Sequence, residues 1–174
     1  MPAYHSSFAN QGKSIGNVAL LPINTSYKGP APKGDGSPDI IEEALYLFKA
    51  NIWFKNYEVK SDADRTLIYL TLYISECLKK LQKCPTKNAG TKELYTEALT
   101  NVVIPGEAGF PLSSLYQKPS KSDGDLMRLY FTQLRQELGV RLLEKVYCEP
   151  DGKPSKWWMC FSRKKFMDKR LGQP

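Results

Sequence analysis

The 174-residue chain is 41% hydrophobic and 25% charged, the make-up of one globular domain rather than of a disordered segment. A chain of this length buries roughly 70% of its unfolded surface on folding, so it needs neither disulfide nor metal, and its one histidine and four cysteines without a C-x-x-C pair are too poor a stock for a zinc site. No apolar run approaches the ~20 residues of a membrane span, and the net charge of +7 favours an acidic partner.

The segment 1–37 reads as an extended arm. It opens without the basic region and apolar core of a secretory signal, which makes the cytosol the expected compartment and four free thiols the expected state. Its only apolar stretch is Val18 to Ile23. Beyond it, Gly29-Pro30-Ala31-Pro32 and Gly34 to Pro38 block any regular element. The arm is expected to lie on a surface, its own or a neighbour's.

The first helix should start at Pro38-Asp39. Asp39 with Glu42 three residues on forms a capping box. Ile41, Ala44, Leu45, Phe48 and Ile52 then keep the i, i+3, i+4, i+7 spacing, and Trp53 and Phe54 add aromatic bulk near its end. The second helix is predicted from about Asp62 to Cys84, stopped by Pro85. Leu67, Leu70, Ile74, Leu78 and Leu81 mark one face, but Ile68, Tyr69, Leu72 and Tyr73 fill the others. A helix apolar nearly all round must be covered nearly all round, which points to a central helix enclosed by the rest.

A short third helix fits Thr91 to Leu99, with Thr91 as its cap. Residues 100–122 read as a loop carrying Pro105, Gly106, Gly109, Pro111 and Pro119. A loop this long in a compact domain is usually functional or a docking element. The fourth helix should start near Ser122-Asp123 and show Leu126, Tyr130, Leu134, Leu138 and Leu142 on one side; Gly139 weakens it by about 1 kcal/mol against alanine and is a point where it can divide. After Pro150-Asp151-Gly152, the segment Ser155 to Leu171 is predicted as a last helix. The result is one helical domain over 1–174, with an arm (1–37) and a body (38–174) of about five helices.

Nucleophilic catalysis requires a nucleophile with a base in reach, and the only histidine sits in the arm. The carboxylate pairs Asp62/Asp64 and Asp123/Asp125 stand at helix starts, where capping explains them. Gly106-Glu107-Ala108-Gly109 lacks the Gly-Lys-Ser/Thr end of a phosphate loop. The residues therefore offer no catalytic site and no cofactor site. Charge is the stronger signal. Lys153, Lys156, Arg163, Lys164, Lys165, Lys169 and Arg170 face a single acid, Asp168, and hold nearly the whole cationic excess. Among them, Lys156-Trp157-Trp158 and Arg163-Lys164-Lys165 admit three readings: tryptophans anchoring the tail to the core, a protein-docking surface, or aromatics that stack bases beside phosphate-binding cations. The arm around Lys28 and Pro30, and the loop Ile104 to Leu112 with Pro105 and Phe110, are further docking strips. Taken alone, the residues stop at a helical interaction protein.

At these same residues the chain resembles a known family. The matching blocks are Met1–Ser7, Ala19–Ile23, Lys28–Pro32, Phe48–Asn51, Phe54–Glu58, Ala63–Tyr69, Ile104–Glu107, Gln133–Glu137 and Glu144–Val146. The most specific are Thr71-Leu-Tyr-Ile-Ser-Glu-Cys-Leu-Lys-Lys-Leu-Gln-Lys-Cys84 and Lys153-Pro-Ser-Lys-Trp-Trp158. The family is the small 21-kDa subunit, subunit 3, of the actin-related protein 2/3 complex, which nucleates branched actin filaments. The departures fall in Asn10–Ser14, Gly34–Ser37, Pro85–Thr91, Ser120–Asp125 and the last few residues.

The resemblance implies an all-α fold with one helix surrounded by the others, no catalytic residue and no cofactor, ATP being held by the two actin-related subunits. It implies docking on the actin-related protein 3 subunit within the seven-subunit complex. It also suggests contact with the actin filament and with activating factors, without nucleic acid or membrane insertion, at the cortical actin cytoskeleton.

Overall fold

The computed structural model describes residues 3–171; Met1, Pro2 and Gly172 to Pro174 lie outside them. In chain order it places β1 (Lys13–Ile15), β2 (Val18–Leu20), α1 (Ile40–Asn51), α2 (Asp62–Leu81), α3 (Lys87–Leu99), a 3-10 turn (Ser113–Leu115), α4 (Lys121–Val146) and α5 (Lys156–Met159). The architecture is mostly helical but not strictly all-α. β1 and β2 pair antiparallel, with Ile15 opposite Val18 across the two-residue turn Gly16-Asn17. Gly16 takes φ +57° there, the left-handed conformation that short hairpin turns demand and glycine supplies without steric cost. Strands of three residues are too short for alternation to betray them in the sequence.

The arm lies on its own domain. Val18, Ala19, Leu21 and Ile23 are buried. The Tyr130 hydroxyl of α4 accepts from the Leu21 amide at 3.0 Å and lies 3.2 Å from the Leu21 carbonyl, while Thr66 Oγ1 of α2 donates to the Ala19 carbonyl at 2.8 Å. These bonds meet the main-chain needs of a segment that has few of its own ladder bonds.

α1 starts where the capping residues put it: the Asp39 carboxylate accepts from the Glu42 amide at 3.0 Å. α2 is capped by Ser61, which accepts from the Asp64 amide. Every side chain of α2 from Thr66 to Leu78 is buried, and α1, α3, α4 and β2 all pack against it. Among the described residues no helix is long and apolar enough to cross a membrane.

Four boundaries differ from the sequence reading. α2 ends at Leu81, three residues before Cys84. α3 starts one turn early, at Lys87, capped by Thr86, whose hydroxyl accepts from the Ala89 amide at 3.2 Å. Thr91 is an interior residue and its hydroxyl bonds back to the Lys87 carbonyl. α4 is capped by Ser120 rather than by Ser122-Asp123, and it runs unbroken through Gly139. A Cβ there would stand 3.6 Å from Leu94 Cβ, an ordinary van der Waals contact, so the packing of α3 on α4 does not demand glycine at this position. Finally, Ser155 to Leu171 is not one helix. Only Lys156–Met159 is α-helical. The rest is turns held by tertiary bonds to one carbonyl and one side chain: Ser75 Oγ of α2 donates to the Lys164 carbonyl at 2.6 Å, and Gln82 Nε2, just past α2, donates to Ser162 Oγ at 2.9 Å.

Candidate protein interface

The candidate surface forms where the end of α1 meets α5 and the turns after it. α5 is a single turn, so Trp157 and Trp158 point in different directions. Trp158 is buried, stacked on Phe48 of α1 with ring centroids 6.1 Å apart and planes 17° from parallel. Lys49 Nζ sits 4.3 Å above the Trp158 ring, a cation–π contact that covers what Phe48 leaves open. Trp157 is 77% exposed. The adjacent tryptophans thus divide the readings between them: one closes the core, the other stands in water.

Next to the Phe48–Trp158 stack the surface is aromatic and cationic. Trp53, just past α1, is 58% exposed. Phe161 meets it edge-on at 6.0 Å and meets Phe48 edge-on at 5.9 Å. Lys164 Nζ lies 4.2 Å above the Trp53 ring. Lys156, Arg163, Lys164 and Lys165 are all exposed, and none of the four is ion-paired among the described residues. A cluster of unpaired cations beside an exposed indole presents a positive potential together with apolar area. The sequence did not mark Trp53 as part of this face, because its partners Phe161 and Lys164 lie more than a hundred residues away.

The other candidates are placed elsewhere. Lys28 is exposed and Pro30 half-buried on the arm. Buried Gln133 of α4 pins that stretch, accepting from the Ala31 amide at 2.9 Å and donating to the Tyr27 carbonyl at 3.0 Å. Pro105 and Phe110 are buried in the chain's own core; Phe110 lies parallel to Tyr69 at 6.3 Å and edge-on to Tyr116 at 4.9 Å.

His5 is docked rather than free in the arm. Its Nδ1 is 2.7 Å from Asp64 Oδ2, and that carboxylate, fully buried, also accepts from the Ser6 and Lys60 amides. Asp64 therefore ties the N-terminal segment to the start of α2. Among the described residues no group of three histidine, cysteine or acidic side chains is placed to hold a metal.

The comparisons agree with one another. The family model described as "P21-Arc: ARP2/3 complex ARPC3 (21 kDa) subunit" matches residues 1–171. The chain is 53% identical over 177 residues to the probable actin-related protein 2/3 complex subunit 3 of Caenorhabditis elegans, covering 98% of this chain and 96% of that protein. It is 50% identical over 175 residues to actin-related protein 2/3 complex subunit 3 of Schizosaccharomyces pombe, covering 98% and 100%. Against the subunit of the same name from Arabidopsis thaliana it is 42% identical over 170 residues, covering 95% and 97%.

Proposed function

Since the chain belongs to the ARP2/3 complex ARPC3 (21 kDa) subunit family, and so to a multi-subunit actin-nucleating assembly, we propose that it is a non-catalytic structural subunit that docks on the actin-related protein 3 subunit and thereby supports nucleation of branched filaments. The body serves as a rigid wedge, with α2 as its central helix wrapped by α1, α3, α4 and the arm; the burial of α2 on all faces supports that reading. It acts in the cytoplasm, at the branched actin of the cell cortex.

One observation carries the docking proposal: Trp157 is 77% exposed in a segment whose four exposed cations, Lys156, Arg163, Lys164 and Lys165, make no ion pair among the described residues. Exposed tryptophan with arginine nearby is hot-spot composition, and unpaired lysines steer an acidic partner more than they hold it. Lys28 and Pro30 on the arm are secondary contacts. Filament and activating-factor contacts, where they occur, would use the same exposed lysines.

The test separates the two tryptophans. Trp157→Ala is expected to leave the melting temperature unchanged and to weaken incorporation into the complex roughly 30-fold or more, the scale of a 2 kcal/mol hot spot, read by co-purification with the other subunits. Trp158→Ala is expected to destabilise the fold by about 3 kcal/mol, because it empties the site beside Phe48. Wild-type incorporation of a folded Trp157→Ala chain would remove the anchor role.

A second prediction concerns charge. Lys164→Glu with Lys165→Glu should slow association with the partner subunit at low salt and lose most of that effect near 1 M salt, where the screening length is about 3 Å. Equal slowing at both salt concentrations would mean the lysines act by shape, not by field. Binding of the wild-type chain to duplex DNA with a steep salt slope would instead favour a nucleic-acid partner.

A further inference from the structure

The last described turn of the chain is built against its own backbone preferences. Met167 and Asp168 have φ +52° and +59°, and the Lys169 amide donates to the Phe166 carbonyl across them at 3.0 Å. A four-residue turn with positive φ at both central positions is the type I′ class, which normally takes Asn-Gly. Aspartate tolerates the left-handed region moderately well; methionine does so poorly. The strain sits in a segment with few polar ties. The Ser162 bond to Gln82 and the Lys164 bond to α2 lie before the turn. Just after it, Arg170 Nη1 is buried with no hydrogen-bond partner among the described residues. What holds it down is apolar: Phe166, 1% exposed and edge-on to Tyr57 at 6.1 Å, and Leu171, 7% exposed.

Leu171 belongs to the buried core but does not pack against protein on every side. It lines a chamber of about 160 Å³ together with Tyr73, Glu76, Glu97, Thr100 and Arg135. Two buried donors on the residues of this chamber, the Tyr73 hydroxyl and Arg135 Nε, have no hydrogen-bond partner among the described residues, although the guanidinium lies 4.6 Å over the Tyr73 ring. The Arg135 guanidinium bonds only the Glu97 and Thr100 carbonyls, with the Glu97 carboxylate 3.9 Å away. Buried donors are satisfied by water where protein offers nothing, and the chamber is far above the ~10–15 Å³ that one water requires.

We propose that Phe166–Leu171 is a strained cap that opens as a unit from α2 over a water-filled chamber, independently of the rest of the fold. Opening relieves the turn, brings Arg170 Nη1 to water and leaves no dry space under Leu171, which borders the chamber, while withdrawing Phe166 uncovers Tyr57. The cost is confined to two apolar side chains, whose exposure offers a neighbouring subunit a second apolar foothold. A neighbour that touches the open form shifts the population toward it.

Amide hydrogen exchange on the full chain, followed residue by residue by NMR, tests this. Amides of the cap should exchange at least tenfold faster than those of Leu70 to Leu78, at a rate insensitive to low urea, as local openings do. Met167→Asn with Asp168→Gly supplies the residues the turn prefers, so cap exchange should slow roughly fivefold while α2 is unchanged. Tyr73→Phe should lower the melting temperature by about 2–4 °C if water bonds the hydroxyl. Cap exchange that shares the urea dependence of α2, or a redesigned turn that exchanges at the wild-type rate, would overturn the independent cap. A melting temperature raised by Tyr73→Phe would show the chamber dry and overturn the hydrated floor.

Discussion

Arg141→Leu is expected to destabilise the protein by about 3–5 kcal/mol, seen as a lower urea midpoint, because it strips one side of a buried ion pair. Arg141 Nη1 and Nη2 grip Asp39 Oδ1 and Oδ2 at 2.7 and 2.8 Å. Nη2 also donates to the Asn24 carbonyl at 2.7 Å and Nε to Glu137 at 3.0 Å. One guanidinium thus ties the arm and the first turn of α1 to α4. Asp39 is only 4% exposed, so its carboxylate would be left buried and unmatched, with only backbone amides to support it.

The same pair predicts an acid response. Burial pushes the Asp39 carboxyl up, but Arg141 and the Asn24 and Glu42 amides outweigh it and hold the group below its ordinary value. A carboxyl depressed in the folded state adds stability that is fully present above its unfolded value of about 3.9, and loses it as pH falls through the folded value. The gap between wild type and Arg141→Leu should therefore be widest near neutrality and narrow below about pH 4. A gap constant from pH 7 to pH 3 would show that Arg141 acts through its packing alone.

The sequence announced α1, α2 and α4 because their caps and apolar spacing are local. Even there the structure adds a long-range term: Glu42 turns its side chain toward Arg141, at 3.4 Å, rather than back to the Asp39 amide, so half of the capping box is spent on tertiary structure. Taking Thr91 as the cap cuts α3 one turn short of its true start at Lys87. In the fold a Cβ at Gly90 would lie 3.0 Å from Leu143, Leu81 and Tyr147, so the glycine answers a packing demand from two other helices that no window of sequence contains. The tail misled for the opposite reason. Trp158, Ser162 and Phe166 keep a four-residue spacing that suits a helix, yet α2 takes the Lys164 carbonyl and Gln82, just past it, takes the Ser162 hydroxyl. The candidate interface was half legible. The basic excess and the Trp pair were plain, whereas the inward turn of Trp158 depends on Phe48 and Lys49, and the partnership of Lys164 with Trp53 depends on the folded tail.

Phe110→Ala is expected to cost about 3–5 kcal/mol, a fall of about 10 °C in melting temperature for a domain of this size. The loop 101–120 has little regular structure and is held by what it inserts. Phe110 lies parallel to Tyr69 at 6.3 Å, and Phe131 stacks on Tyr69 at 3.8 Å. Tyr116 packs edge-on against Phe110 at 4.9 Å and its hydroxyl donates to the Arg65 carbonyl at 2.6 Å. Deleting the ring therefore leaves a void against α2 that the two tyrosines, each held by other contacts, cannot collapse to fill. By contrast, Glu107→Gln should change the melting temperature little. Arg128 bonds Glu107 with both terminal guanidinium nitrogens, Nη1 at 2.9 Å and Nη2 at 2.8 Å, and those bonds hold the carboxyl below its ordinary value, but both side chains are about 40% exposed and water competes for them. The contrast decides what the loop is for. If Phe110→Ala melts as wild type yet fails to enter the complex, the ring belongs to a partner's pocket; if it melts early and the folded fraction still assembles, the loop is a brace for α2 and docking falls to the Trp157 face.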